Sequence, residues 1–478
     1  MELYALQMEI ATVVLAVLGL LAGAFWPRHV NLIRRGLAEG ALLVVIASMF
    51  LAFPQHHVFF GGTFVLDRFA IFFKQILLGT AALVLLLADA HEPLRRQGGA
   101  EFSALVLLSA AGMMLLASAN DFIFLFVALE LVTISFYVLN SFLRGSARAL
   151  EAGLKYLVLG ALSAGVMAYG LAYIFGAAGS LNFDACHEAL HVPRTALGVY
   201  QFGFTLVLLG LGFKLAMVPM QIWAPDVYQG APTPAAAFLA SGSKIAGFVV
   251  LLRLVFAELV PPAWGPQSLL LMTLAALTLL YGALGGLAQT DIKRLLGYSS
   301  ITNAGFLLLG IAAGGDMGHS AVIYYLVQYL FAVIAAFAVL TVVANASDTA
   351  DRATLTGLHR RSPLLALALL MAMLSLAGVP PLGGALGKFF LLLAVLARAR
   401  TDPAFYALAG VAVAGAVIAL FYYLRVLRGA WADPAPDAAT RITVPWTVRV
   451  VLFICMAGML VLGVWPHPLL NWAGSCLH

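Results

Sequence analysis

Long apolar runs, separated by short polar or charged stretches, dominate the hydrophobic pattern of this chain. A helix needs roughly 20 apolar residues to cross a bilayer, and about fourteen runs reach that length. No strand is predicted, so the expected fold is an all-α polytopic membrane protein. We predict transmembrane helices 1 to 14 at 4–26, 36–54, 69–88, 101–118, 121–142, 153–176, 200–229, 234–259, 266–288, 295–313, 319–345, 363–398, 404–424 and 444–465.

Predicted helices 7 and 12 contain proline and glycine at positions that should interrupt them. In helix 7 the sequence LAMVP (215–219) follows Lys214, and in helix 12 the similar LAGVP (376–380) precedes Lys388. Proline removes a helix hydrogen bond and clashes with the preceding turn, so both helices should be broken. Paired interruptions in two halves of a chain are typical of inverted repeats with a site near the membrane midplane.

The spacing of these two breaks predicts the domain organisation. They lie five helices apart, an odd number, so the two copies would have opposite topology. We predict helices 1–3 at 1–100, a first repeat of helices 4–8 at 101–260, a second, inverted repeat of helices 9–13 at 261–430, and helix 14 at 431–478.

Composition excludes a soluble protein and charge predicts topology. The 478 residues are 63% hydrophobic and only 10% charged, with a net charge of +5. Positive residues mark cytoplasmic connections, and odd-numbered connections carry most of them, which predicts both termini on the outer side. The even-numbered connections carry only Arg68, Arg194, Arg398 and Arg400. Positive charge follows the first apolar run rather than preceding it, so helix 1 is predicted to be an uncleaved span.

Four charged residues inside the apolar runs are the candidate functional groups: Glu130, Lys214, Lys244 and Lys388. Each costs about 2.5–3.5 kcal/mol near the bilayer centre, so a function is the default interpretation. Burial disfavours a charged lysine and a nearby carboxylate favours it, so a Glu–Lys pair of variable separation could switch a lysine between holding and releasing a proton. The alternative for Glu130 is a structural carboxylate bonded to a neighbouring helix.

Other basic residues have simpler interpretations. Lys155 begins helix 6 and could be interfacial or accessory, while Lys74 is predicted to be structural. Arg253 lies near the outer end of helix 8, where extension of the side chain to the membrane surface is the default.

Three motifs that suggest other chemistry are weak. His187, Glu188 and His191 form an H-E-x-x-H pattern with zinc-ligand spacing, but no third ligand is evident. Glycine-rich 383–388 lacks the first glycine and the Ser or Thr of a phosphate-binding loop. The cysteines do not form a C-x-x-C pair, so no iron–sulfur or zinc framework is predicted; they are Cys186, Cys455 and Cys476.

Four further motifs resemble those of a known family. They are EAGLKYLVLGA (151–161), APDVYQGAPTP (224–234), QTDIKRLLGYSS (289–300) and GVPPLGGALGKF (378–389). Together they resemble the antiporter-like subunits of respiratory complex I and their relatives among multisubunit sodium–proton antiporters, over about helices 4 to 13. The resemblance implies a water-linked proton relay through Glu130, Lys214, Lys244 and Lys388, with Lys155 accessory, driven by quinone reduction elsewhere in the complex.

The resemblance also implies surroundings for the chain. It would be a non-redox membrane subunit of a proton-translocating NADH–quinone oxidoreductase in the bacterial cytoplasmic membrane. No cofactor or metal is expected in this chain, whereas the complex would use NADH, FMN, iron–sulfur clusters and quinone. Expected partners are the lipid bilayer and other membrane subunits of complex I, with subunits M and K as neighbours and the lateral helix of subunit L, and no nucleic acid.

One position departs from the family pattern. Many relatives carry a histidine on helix 10 where this chain has Asn303. Asn can orient water but does not take up a proton at physiological pH. A step between Lys244 and Lys388 would then run through water or through hydroxyl groups such as those of Tyr298, Ser299 or Thr302.

Two other functions stay open at this stage. A cation–proton antiporter subunit would work without electron transfer, and it predicts sodium- or pH-dependent exchange and neighbouring genes of antiporter type. A purely structural subunit would have vestigial lysines, and neutralising Lys214 or Lys244 would change only assembly.

Overall fold

Helices account for almost all of the chain in the computed structural model. It describes residues 2–50, 56–191, 196–259, 266–347, 351–433 and 441–476. The end of predicted helix 2 (51–54) and Arg194, one of the charges used for topology, lie outside these residues. Every one of the fourteen predicted runs contains helix, so the predicted polytopic helical fold is confirmed.

The helices follow one another with short connections. Those of the first hundred residues are α1 Gln7–Phe25, α2 Val30–Phe50, α3 Arg68–Ala90 and α4 Glu92–Arg96. The next group comprises α5 Gly99–Ala117, α6 Phe122–Asn140, α7 Ala147–Ala178, α8 Phe183–Leu190, α9 Leu197–Leu215, α10 Trp223–Gly230, α11 Thr233–Phe238 and α12 Lys244–Phe256. The remainder are α13 Pro266–Leu287, α14 Ile292–Ala313, α15 Gly315–Ser347, α16 Leu358–Arg361, α17 Pro363–Ala377, α18 Gly383–Ala399, α19 Ala404–Trp431, α20 Trp446–Val464 and α21 His467–Ser475.

Twelve helical segments in the described part of the chain are long and apolar enough to cross a membrane. They coincide with twelve of the fourteen predicted spans. The other two are helix 2, where α2 carries Arg34, Arg35 and Glu39, and helix 12, which consists of the two shorter helices α17 and α18. The segments over 233–256 and 315–345 are the most buried, so α11, α12 and α15 form the centre of the molecule.

The expectation that the chain has no strands was wrong. Strands β1 His56–Phe59 and β2 Phe64–Asp67 pair antiparallel in the connection between α2 and α3. Gly61 and Gly62 adopt positive φ in the turn, which glycine allows without steric cost. Aromatic and branched residues on both sides of a Gly-Gly pair are a hairpin signal that a search for apolar spans overlooks.

Buried ion pairs tie this hairpin and α1 to the rest of the molecule. Arg253 of α12 donates to both carboxylate oxygens of Asp67, at 2.5 and 2.8 Å, and to the carbonyl of Ala117. It is only 8% exposed, so the expected extension to the membrane surface was wrong, because the hairpin covers this end of α12. Lys74 pairs with buried Glu9 at 2.7 Å, in line with its predicted structural role.

Replacing Arg253 by Met is expected to destabilise the protein by about 3–5 kcal/mol, because it removes the cationic partner of Asp67, whose side chain is only 17% exposed. The measurement is the thermal unfolding temperature of the subunit in its purified assembly. Adding Asp67→Asn should recover part of the loss. An unchanged unfolding temperature in Arg253→Met would contradict a stabilising role for this pair.

Candidate functional site

The first helix break lies directly after Lys214. Helix α9 ends at Leu215, so the break starts at Ala216, slightly before the proline that the sequence singled out. Ala216 has a left-handed backbone, and the N–H of Met217 bonds to the carbonyl of Gly212, which is the turn that commonly closes helices. The indole of Trp223 donates to the carbonyl of Phe213 at 3.0 Å, so the freed backbone is covered by protein.

The second break repeats this geometry. Helix α17 ends at Ala377, Gly378 has a left-handed backbone, and the N–H of Val379 bonds to the carbonyl of Leu374. The similar sequences at 215–219 and 376–380 therefore form the same type of turn, which begins one residue later in the second sequence. The division into repeats stays a prediction.

Lys214 lies buried among aromatic rings at the end of α9. Its Nζ donates to the hydroxyl of Tyr156 at 3.1 Å and lies 5.4–6.0 Å from the ring centroids of Tyr156, Phe213 and Phe136. Cation–π contacts of this kind stabilise a desolvated ammonium group. Tyr156 is a contact that sequence reasoning missed, although a tyrosine inside an apolar run was a usable signal.

Glu130 lies in the middle of α6, as predicted, and its charge interacts with that of Lys214. It is half-buried, and among the described residues its buried Oε1 has no hydrogen-bond partner. No ion pair closer than 4 Å joins Glu130 to Lys214 in this part of the chain. The two groups are thus close enough to influence each other without direct contact.

Lys244 is at the centre of the molecule, where a helix changes its winding. A π-helical turn, Leu239–Ser243, separates α11 from α12 and ends directly before this lysine. π-Helical turns are rare and occur frequently at functional sites. Lys244 is 1% exposed, and its Nζ donates to the carbonyl of Ser300 at 2.5 Å.

Lys214 on α9 and Lys244 on α12 lie at similar heights along two helices that pack against each other. A Cβ added at Gly247, one turn after Lys244, would lie 3.4 Å from the Cβ of Lys214 and 3.0 Å from Leu215. The small residues around Lys244 therefore allow α9 to approach α12 closely, as the sequence suggested.

A network of buried hydroxyl groups surrounds α14 beyond Lys244. The hydroxyls of Tyr228 and Tyr329 lie 3.0 and 3.1 Å from the Oγ of Ser300. One turn further, Asn303 accepts a hydrogen bond from Tyr325 at 2.6 Å and donates to the carbonyl of Ser299 at 2.9 Å. The Oγ of Ser299 in turn lies 2.5 Å from the hydroxyl oxygen of Tyr423. Tyr423 is a further residue that sequence reasoning missed.

The side chain of Lys388, on α18, binds the C-terminal end of α17 across the second break. Its Nζ donates to the carbonyls of Leu376 and Ala377 at 2.7 and 3.2 Å, so the ammonium group occupies the negative end of the α17 dipole. It also lies 4.6 Å from the ring centroid of Phe306 on α14. Phe306 is six residues after Ser300, a rise of about 9 Å, so α14 connects the surroundings of Lys244 and Lys388.

Of the predicted water-orienting groups, Asn303 belongs to this network and Tyr298 does not. Tyr298 is half-buried beside Tyr281, with ring centroids 6.1 Å apart. Thr302 donates to the carbonyl of Tyr298 and contacts the hydroxyl of Tyr422 at 3.5 Å.

Lys155 belongs to a charge cluster away from the four candidates. It pairs with Asp226 at 2.6 Å and with Glu151 at 2.7 Å, and its side chain is 40% exposed. Asp226 also accepts a hydrogen bond from Arg294 of α14. The cluster joins α7, α10 and α14 at the end of the molecule where these helices begin or end.

A cavity of about 480 Å³ opens beside the start of α11, lined by Lys293, Thr233 and His91 among others. Lys293 donates to the carbonyl of Ala231 at 2.5 Å, at the C-terminal end of α10. Burial, with the positive charges of Lys293 and Arg34, lowers the pKa of His91 to about 3. His91 is therefore neutral at physiological pH.

The H-E-x-x-H pattern lies on the short helix α8. The ring of His191 contacts the carbonyl of His187, and His187 faces Glu258 at 3.9 Å. Within the described residues, no group of three or more His, Cys, Asp or Glu side chains could hold a metal ion.

The fold and the buried lysines define the class: a polytopic helical membrane protein with two broken helices and interior cations. The profile of the family described as NADH:quinone oxidoreductase/Mrp antiporter, TM, matches residues 119–416. The chain belongs to this family. Its variants of the four motifs resemble those of subunit N more than those of subunits L or M.

Relatives and solved structures agree with this membership. NADH-quinone oxidoreductase subunit N of Desulforamulus reducens is 37% identical over 467 residues, which cover 96% of this chain and 95% of the relative. A chain of respiratory complex I from Thermus thermophilus with bound aureothin is 35% identical, with a TM-score of 0.80 over 97% of this chain and 98% of that one. A chain of the Mrp complex from Dietzia sp. DQ12-45-1b has the same fold, with a TM-score of 0.84 over 99% and 97% of the two chains at 21% identity.

Proposed function

We propose that this chain is the proton-translocating subunit N of a NADH–quinone oxidoreductase and couples quinone reduction to proton movement. The observation that carries the proposal is the arrangement of Lys214, Lys244 and Lys388. All three lysines are buried, each is next to an interruption of its helix, and α9, α12 and α14 connect them. Buried lysines without a carboxylate partner are costly in a membrane, which favours a function for their charge.

The steps of the relay follow from the contacts. Glu130 acts on Lys214 by electrostatic attraction, since the two are near but not bonded. A proton passes through water between Lys214 and Lys244, which the close packing of α9 against α12 at Gly247 holds near each other. From Lys244 it travels along α14, where the hydroxyls of Ser300, Ser299 and their tyrosine partners replace the histidine of other family members.

The chain itself would carry no redox group in this function. NADH, FMN, iron–sulfur clusters and quinone would act in other subunits, and the energy would arrive through contacts with membrane subunits. Subunits M and K and the lateral helix of subunit L are the proposed neighbours in the bacterial cytoplasmic membrane, with both termini of this chain on the periplasmic side.

Lys214→Ala tests the coupling. We expect NADH-driven proton uptake and quinone reduction to fall roughly tenfold in membranes with normally assembled complex, since a coupling charge is typically worth about 1–3 kcal/mol. Lys214→Arg, which keeps the charge, should retain more activity. Full activity in an assembled Lys214→Ala complex would refute the relay at this residue.

A cation–proton antiporter subunit is the second candidate, since the family includes Mrp antiporters. It predicts sodium–proton exchange in vesicles without NADH or quinone, and the same lysine variants would abolish that exchange. Exchange activity in the absence of any electron donor would favour this candidate over the first.

A further inference from the structure

A pocket separate from the proposed relay lies at one end of the helix bundle, near the membrane surface. It has a volume of about 540 Å³, and its charged and polar lining consists of Arg95, Arg96, Glu92, Thr443 and the amides Asn31 and Asn345, with apolar residues including Val342 and Ile442. Helix α2 begins here, α3 and α15 end here, and α20 begins here. Because four helices start or end at this level, the pocket lies where the membrane interior meets its polar surface.

The pocket has an excess of positive charge. Among the lining residues, Arg96 pairs with Glu92. Arg34 and Arg35, which are not part of the lining, share the carboxylate of Asp89. Arg95 is exposed and takes part in no ion pair among the described residues. The lining therefore holds two guanidinium groups, those of Arg95 and Arg96, and one carboxylate, that of Glu92, and the surplus positive charge favours a bound anion.

An apolar surface continues from the pocket into the membrane. The guanidinium of Arg35 lies 5.3 Å from the ring centroid of Trp446, the first residue of α20. Trp446, Val450 and Phe453 follow at helical spacing and are 51%, 39% and 60% exposed. A tryptophan at the membrane surface with an apolar helix face below it matches a phospholipid, with its headgroup at the polar level and an acyl chain along the helix.

We propose that this pocket binds the phosphate of an anionic phospholipid, with the acyl chain lying along α20. A basic pocket between transmembrane helices suits an anionic headgroup, and guanidinium groups bind phosphate oxygens with two parallel hydrogen bonds. A free phosphate would use the arginines but not the apolar face of α20. The occupant is therefore the lipid, and its binding does not require the relay to operate.

The test uses the purified assembled complex in mild detergent. The probes are phosphatidylglycerol in mixed micelles, phosphatidylcholine as the neutral counterpart, and inorganic phosphate as the free anion. Native mass spectrometry measures the retained lipid, and titration measures its apparent affinity. We expect retention of phosphatidylglycerol, and a roughly 10- to 30-fold loss of affinity in the Arg95→Gln/Arg96→Gln variant.

The matched control is Arg28→Gln/Arg360→Gln, which removes the same charge from exposed residues outside this pocket. It should bind phosphatidylglycerol as the unmodified complex does. A separate Trp446→Ala variant should weaken lipid binding, and inorganic phosphate should displace phosphatidylglycerol neither from this variant nor from the unmodified complex. Equal lipid retention in all variants, displacement by inorganic phosphate, or loss of a neighbouring subunit instead of lipid would each overturn the proposal.

Discussion

Replacing Lys244 by Met is expected to reduce proton uptake and quinone reduction about 100-fold while the complex still assembles, since a positioned proton-transfer group contributes about 100-fold or more. Met keeps the length and apolar stem of lysine but has no proton to transfer. Lys244 lies between Lys214 on one side and the Ser300 hydroxyl network on the other. Loss of Lys244 interrupts the proposed proton path between Lys214 and Lys388. The effect of Lys244→Met should therefore exceed that of Lys214→Ala.

The matched control for Lys244→Met removes a different buried lysine. Lys74 is 1% exposed and pairs with Glu9, so the double variant Lys74→Met/Glu9→Gln removes a buried cation and its partner together. Activity per assembled complex should stay near that of the unmodified protein. If Lys244→Met keeps more than half of its proton uptake, or the control loses as much, a central role for Lys244 is wrong.

A large effect on folding is expected from a substitution at Gly384, at the start of α18. A Cβ at this position would lie 1.8 Å from the carbonyl oxygen of Ser375 and 2.6 Å from its carbonyl carbon. These are backbone atoms at the end of α17, so they cannot move aside without opening the break. We expect Gly384→Ala to destabilise the protein by about 3 kcal/mol or more, at the upper end of overpacking costs.

The measurement for Gly384→Ala is the amount of subunit in the membrane and the thermal unfolding temperature of the assembled complex. Gly410→Ala is the matched control, because a Cβ at Gly410 meets nothing within 4 Å. Alanine is the better helix former, so this control should be neutral or slightly stabilising. Normal levels of Gly384→Ala protein would contradict the close packing of α17 against α18.

Much of the architecture could be predicted because the membrane constrains sequence strongly. Every spanning segment must bury its own backbone groups, so apolar length alone located the helices. The similar sequences around Pro219 and Pro380 also located both breaks. The hairpin at His56–Asp67 was missed because its short strands lie in a connection, where apolar length carries no information.

The candidate lysines could also be predicted, since a buried cation in an apolar run is visible in the sequence. Their partners could not. Lys388 bonds to carbonyl groups and Lys244 to the carbonyl of Ser300, and backbone acceptors leave no mark in a sequence. Tyr325, Tyr329 and Tyr423 converge on α14 from α15 and α19, helices far apart along the chain, so only packing brings them together.

Lys214 and Lys388 differ in what their loss would do to the backbone, and this bears on how easily each could be lost in evolution. Lys214 bonds to the hydroxyl of Tyr156, so a neutral side chain there leaves the backbone of α9 intact. Lys388 donates to the carbonyls of Leu376 and Ala377, so the atom proposed to carry the proton also holds the end of α17 in place. A lineage that abandoned ion transport could lose the first lysine in one substitution, but losing the second would leave the carbonyls of Leu376 and Ala377 without this donor.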